Sequence, residues 1–135
     1  MKLDIQWMVG RAIDEISFSA PQRWSFRFSG GGIVCTESAW RIIKAGHIAR
    51  TSGDHGQQFG LPAPIDAEAE VRSLLCARRI EAAEVREDTR DIVLRFESGE
   101  RLEIIPLSSG YESWEVATPD GVRTIAQGGG ALVEF

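Results

Sequence analysis

Trp24, Phe26 and Phe28 alternate with Ser25 and Arg27, a period of two that predicts a half-buried β-strand. Ser29-Gly30-Gly31-Gly32 then supplies a turn, because glycine takes positive φ at little steric cost. Ile33-Val34-Cys35-Thr36 reads as the returning strand and Ala39-Trp40-Arg41-Ile42-Ile43 as another, with a further turn at Ala45-Gly46. Upstream, Ile13, Ile16 and Phe18 carry a fainter strand signal that ends at Ala20-Pro21.

The pattern breaks between Thr51 and Pro64, where glycine and proline are dense and no period holds, so this is the longest loop expected. Asp66 is placed to cap a helix running to about Cys76. Glu68 and Glu70 sit near its positive end and Arg78 and Arg79 near its negative end, as the helix dipole favours. Val71, Leu74 and Leu75 form its apolar stripe.

Strand patterns resume afterwards. Ile80–Val85 is one; Ile92, Leu94 and Phe96 alternate with Val93, Arg95 and Glu97 in the next. Ser98-Gly99-Glu100 makes a turn, and Leu102, Ile104 and Ile105 return before Pro106. Residues 113–116 and 122–126 are joined through Pro119-Asp120-Gly121, and 131–135 offers a closing strand.

The two parts of the chain share this order. Trp24–Gly31 aligns without a gap on Ile92–Gly99, and Glu37-Ser38-Ala39-Trp40-Arg41-Ile42 echoes Glu112-Ser113-Trp114-Glu115-Val116. Generic amphipathic hairpins would share the alternation, but hairpin, aromatic strand and turn recur here in sequence. The expected fold is α+β and mostly β: two similar antiparallel meander halves, about 12–50 and 79–127, with one helix between them at about 66–76. They form either one barrel-like sheet or two sheets around a shared core, within a single domain spanning 1–135.

Charge narrows the range of partners. The 135 residues carry 20 acidic and 15 basic side chains, a formal net charge of −5. Sequence-independent nucleic-acid binding needs the opposite surplus, so no nucleic-acid partner is expected; a basic protein partner suits the acidic balance. The start, Met1 to Trp7, lacks the apolar core of a signal peptide, and no run reaches the roughly 18 apolar residues of a membrane helix. Two cysteines, Cys35 and Cys76, are too few for a disulfide framework, and both sit among apolar residues as structural thiols do. A cytoplasmic location with no membrane association is the expectation.

Candidate chemistry is sparse. Asp54-His55 pairs a titratable ring with a carboxylate that could orient it, and Gln57 follows; a solvated loop histidine accounts for the same residues. Tyr111 and Glu112 lie in Ser108-Ser109-Gly110-Tyr111-Glu112-Ser113-Trp114, a mixture typical of recognition surfaces, although Trp114 also suits the core. Ser29–Gly32 and Gly128-Gly129-Gly130 lack the spacing of phosphate-binding loops. Cys35 has no histidine at a recognisable spacing, and His47 and His55 match no zinc pattern. No catalytic residue, metal or cofactor is therefore assigned, and the binding candidates are Asp54, His55, Gln57, Tyr111 and Glu112.

Five segments together, Ser52–Gly60, Pro64–Ala67, Ile92–Phe96, Gly110–Trp114 and Gly128–Gly130, resemble a family of small bacterial proteins built on a domain of unknown function. That resemblance implies no activity, cofactor or site residue. The order strand, Gly turn, strand and Trp strand is also similar to immunity proteins of bacterial toxin systems, which implies a protein partner. Three functions follow as expectations: a non-enzymatic interaction module, a small-ligand binder or enzyme with a cleft between the halves, and a homo-oligomer joined at strand edges.

Overall fold

The computed structural model describes residues 3–135. Strands β1 (Ile13–Ser19), β2 (Arg23–Phe28), β3 (Ile33–Thr36), β4 (Ala39–Lys44) and β5 (His47–Thr51) precede helix α1 (Ala67–Leu75). After it come β6 (Ile80–Val85), β7 (Ile92–Phe96), β8 (Arg101–Ile105), β9 (Trp114–Ala117), β10 (Arg123–Ala126) and β11 (Leu132–Glu134). Asp66 caps α1 as its position suggests, its carboxylate accepting from the Ala69 N–H at 3.0 Å.

The strands form two antiparallel sheets, ordered β1-β2-β3-β9-β10-β11 and β5-β4-β8-β7-β6. Neither closes on itself, so the barrel-like alternative is corrected to two sheets. The halves also exchange strands rather than standing as separate units beside the helix. The meander β1-β2-β3 of the first half receives β9 from the second, and the meander β6-β7-β8 receives β4 from the first. Val34 lies opposite Val116 at one exchanged pair, and Leu102 opposite Ile42 at the other.

The correspondence between halves reaches individual bonds. Each first strand shifts register at the same place, between Ile13 and Glu15 in β1 and between Ile80 and Ala82 in β6. Phe28 N–H donates to Gly32 O and Gly31 N–H to Phe28 O; Phe96 and Gly99 repeat that hairpin with Glu100 O and Phe96 O. The halves join crosswise just before these strands, Gly10 N–H donating to Ile80 O and Ala77 N–H to Ile13 O.

Alternation puts one face of each sheet inside. Trp24 on β2 meets Trp40 on β4 edge-to-face at 4.9 Å, and Phe26 lies 6.1 Å from the same ring. Both tryptophans are 1% exposed, and truncating either to alanine would cost about 3–5 kcal/mol. Val71 and Leu75 carry the apolar face of α1 into this core.

The helix also guards a sheet edge, where unpaired backbone groups would otherwise invite other strands. Glu68 accepts from Phe18 N–H at 2.7 Å, and Arg72 donates to Ile16 O at 2.8 Å. On β6, Gln6 donates to Ala83 O at 2.8 Å, the carbonyl that corresponds to that of Ile16. Among the described residues no helix is long and apolar enough to cross a membrane.

Candidate functional site

Asp54 and His55 sit in a 3-10 turn that follows β5, and backbone groups hold both. Asp54 accepts from Thr51 N–H at 2.9 Å and faces Arg50 at 3.6 Å. His55 Nδ1 accepts from Ala67 N–H at 3.1 Å, which satisfies an otherwise orphan donor at the start of α1. Its ring packs 4.5 Å from Phe18 and 5.5 Å from Trp24. The expectation of a solvated loop histidine is thus corrected: His55 is half-buried and ties the loop to the helix and to β1 and β2. Gln57 is exposed, and its backbone zips the loop base, accepting from Ile65 N–H at 2.7 Å.

The Tyr111 segment is fixed from behind. Ser108 Oγ accepts from the N–H groups of Gly110 at 3.0 Å and Tyr111 at 2.9 Å. Gly129 N–H donates to Ser108 O, while a Cβ on Gly128 would lie 2.5 Å from the backbone of Gly110. A Cβ on Gly130, which sits at φ +97°, would come equally close to Asp88 O. Gly128 and Gly130 therefore let three backbone segments touch, a role their sequence alone does not show. Trp114 is buried and donates from its indole to Arg90 O at 2.8 Å. Tyr111, by contrast, is 83% exposed, with Leu107 at 76% beside it.

The two candidate segments converge on one groove. Tyr111 and Glu112 border a depression of about 460 Å³ together with Gln22, Glu37, Ser38 and Leu107. A second of about 250 Å³ contains His55, Phe18 and Trp24 and shares Gln22, Glu37, Ser38 and Ala39 with the first. Asp54 and Gln57 line neither, so of the three binding candidates in the loop only His55 lines the groove, with Ser52 and Gly53 beside it. A third hollow of about 240 Å³, reached past Glu37, Glu112 and Ser113, holds Arg23 and Glu115.

Strand exchange builds this surface. Because Thr36 lies opposite Trp114, the chain leaving β3 at Glu37 runs beside the chain entering β9 at Glu112. Thr36 Oγ1 donates to Ser113 O at 2.7 Å and Ser38 Oγ to Ile105 O at 2.5 Å, fixing the floor. Glu37, Gln22 and Leu107 were not singled out from the sequence. For Glu37 a signal existed, since it precedes a Trp strand as Glu112 does.

The groove is acidic. Glu37, Glu112 and Glu115 face it against Arg23 alone among its charged lining residues. Glu115 is held below the ordinary carboxylate range chiefly by its hydrogen bond from Arg123 at 2.6 Å, so it stays ionised. Cys35 lies nearby with Sγ 3.5 Å from Ser25 Oγ. Among the described residues no three His, Cys, Asp or Glu side chains gather as a metal site would require. A surface of exposed Tyr and Leu between carboxylates can bury an apolar anchor and pair with cations. No family model, curated protein or solved structure matches this chain.

Proposed function

We propose that this chain is a non-enzymatic interaction module whose groove receives a basic segment of a protein partner carrying one apolar anchor. The observation that carries the reading is the pairing of exposed Leu107 and Tyr111 with Glu37 and Glu112 on one rim. Exposed aromatic and aliphatic side chains beside carboxylates that pair with no described residue favour a partner of complementary charge and suit its rapid encounter. The similarity of the sequence pattern, a strand, a Gly turn, a strand and a Trp strand, to immunity proteins makes a toxin domain the first partner to try.

Quantitative pull-down from the host with the wild-type chain, Tyr111→Ala and the double variant Glu37→Lys/Glu112→Lys tests this. A basic protein retained at low salt, weakened by Tyr111→Ala and lost on charge reversal is the expected result. Retention indifferent to both changes, or no partner at all, overturns it.

A second reading rests on the His55 end of the groove, where Phe18, Trp24 and His55 border a pocket sized for a small aromatic ligand. It expects saturable quenching of tryptophan fluorescence by such ligands in the wild-type chain. Quenching that survives His55→Ala and Phe18→Ala unchanged would count against it.

A further inference from the structure

The fold builds one depression twice, and the two copies differ in charge. On the outer face of the β1-β2-β3 sheet, a hollow of about 320 Å³ is lined by Asp14, Arg27, Phe28, Gly31 and Ile33. On the other sheet, a hollow of about 420 Å³ is lined by Glu81, Arg95, Phe96, Gly99 and Arg101, the residues at corresponding strand positions. Arg41, Ile43 and Glu100 are also part of its wall.

In the first copy an acidic residue faces the arginine, for Arg27 lies directly opposite Glu15 across β1 and β2, although the two side chains form no ion pair. In the second copy Ala82 stands opposite Arg95 where Glu15 would be. On the other side Arg95 faces Arg101, which occupies the place of Ile33. Two like charges directly opposed on neighbouring strands destabilise a sheet. Arg95 makes no ion pair or side-chain hydrogen bond with any described residue.

The carboxylates nearby pair with Arg101 but not with Arg95. Glu103 is buried and divided, one oxygen to Arg41 Nε at 2.6 Å and the other to Arg101 Nε at 3.0 Å, leaving the remaining guanidinium N–H groups of both arginines outside those bonds. Glu100 is buried against Ser98 Oγ and lies 4.0 Å from Arg78. Glu81 corresponds to Asp14, so it is common to both copies and does not account for the difference. The second hollow therefore presents, beside its carboxylates, the guanidinium of Arg95 that none of the described residues engages. Exposed Ile48, with Ile43 and Phe96, gives it an apolar side.

We propose that this depression binds a small organic oxyanion, a phosphate ester or carboxylate with an apolar body, held by the guanidinium groups of Arg95 and Arg101. Arginine forks match both oxyanions in geometry, and the anion supplies the counter-charge that Arg95 lacks among the described residues. This site is separate from the acidic groove and does not depend on the reading given to it.

Phenyl phosphate, benzoate and inorganic phosphate, each titrated into the full chain by calorimetry at chloride-matched ionic strength, test the proposal. Saturable binding of phenyl phosphate or benzoate is expected, and whichever binds tighter identifies the oxyanion. Losing a charge-assisted hydrogen bond in Arg95→Gln or Arg101→Gln should weaken it about tenfold or more. Arg27→Gln, at the other copy, should leave it within about twofold. Without ligand, Arg95→Gln should raise the melting temperature, because it removes the like-charge opposition. No saturable binding of any probe, equal affinity in Arg95→Gln, or an equal loss in Arg27→Gln overturns the proposal.

Discussion

Gly128→Ala is the sharpest test of how the Tyr111 segment is held. The new Cβ would sit 2.5 Å from both C and N of Gly110 and 2.6 Å from its Cα. That is about 1 Å inside an ordinary carbon contact, against backbone that no rotamer change can move. The conformational cost is small, because Gly128 does not occupy the positive-φ region. Overpacking of this kind costs about 1–3 kcal/mol. For a domain of this length that corresponds to a fall in melting temperature of about 4–10 °C. Gly110→Ala supplies the control, since a Cβ built there meets nothing within 4 Å and the residue needs no positive φ. It should remain within about 0.5 kcal/mol of wild type. Thermal unfolding followed by circular dichroism reads both. Equal melting temperatures for Gly128→Ala and wild type would refute the backbone contact, and a large loss in Gly110→Ala would refute its one-sidedness.

Burial opposes ionisation of Glu103, but hydrogen bonds and attraction from Arg41 and Arg101 outweigh it and hold the carboxyl below its ordinary range. A lowered folded value means that the unfolded chain takes up the proton first as pH falls. This contribution is therefore complete above the unfolded glutamate value and lost as pH drops through the folded one. Urea unfolding from pH 7 to pH 3 should show it, and Glu103→Gln should flatten the slope and cost about 1–2 kcal/mol at pH 7 after allowance for the half-exposed arginines. His55→Ala should cost about 1–2 kcal/mol through the lost acceptor at the start of α1, and calorimetry checks it. Glu68→Ala uncovers Phe18 N–H on the edge of β1, so light scattering should show concentration-dependent association that the wild-type chain lacks.

Alternation revealed β2 because its apolar face alone is buried, and it revealed β7 less cleanly, since Val93 on the face of exposed Arg95 is buried as well. It missed β5, where none of His47, Ile48, Ala49, Arg50 and Thr51 is buried and no period is imposed by a core. The exchange of strands was not legible either. Alternation tells which face a residue takes, not which strand lies beside it, and Thr36 and Trp114 are far apart in the chain. The groove inherits that opacity: Tyr111 and His55 stood out by residue type, whereas Glu37 and Leu107 matter only because the exchange brings them there. The Arg95–Arg101 opposition was closer to hand, since a turn at Ser98-Gly99-Glu100 sets those two arginines across from each other.

Strand exchange also predicts how the chain comes apart. The first half supplies β4 to the sheet of the second, and the second supplies β9 to the sheet of the first, so neither meander is flanked by its own hairpin. A fragment of residues 1–76 would lose Leu102, Ile104, Trp114 and Val116 from the two exchanged pairs, all of them buried. At roughly 1.5–3 kcal/mol for each large side chain, that is about 6–12 kcal/mol. The loss is comparable with the whole stability of an ordinary domain, about 5–15 kcal/mol. Fragments 1–76 and 77–135 should each lack a cooperative thermal transition, and mixing them should restore one together with the dispersed amide spectrum of the intact chain. A monomeric 1–76 fragment that melts cooperatively would show that the exchanged strands are dispensable. The groove and the Arg95 depression, which lie at opposite ends of the β4–β8 pair, would then need another structural basis.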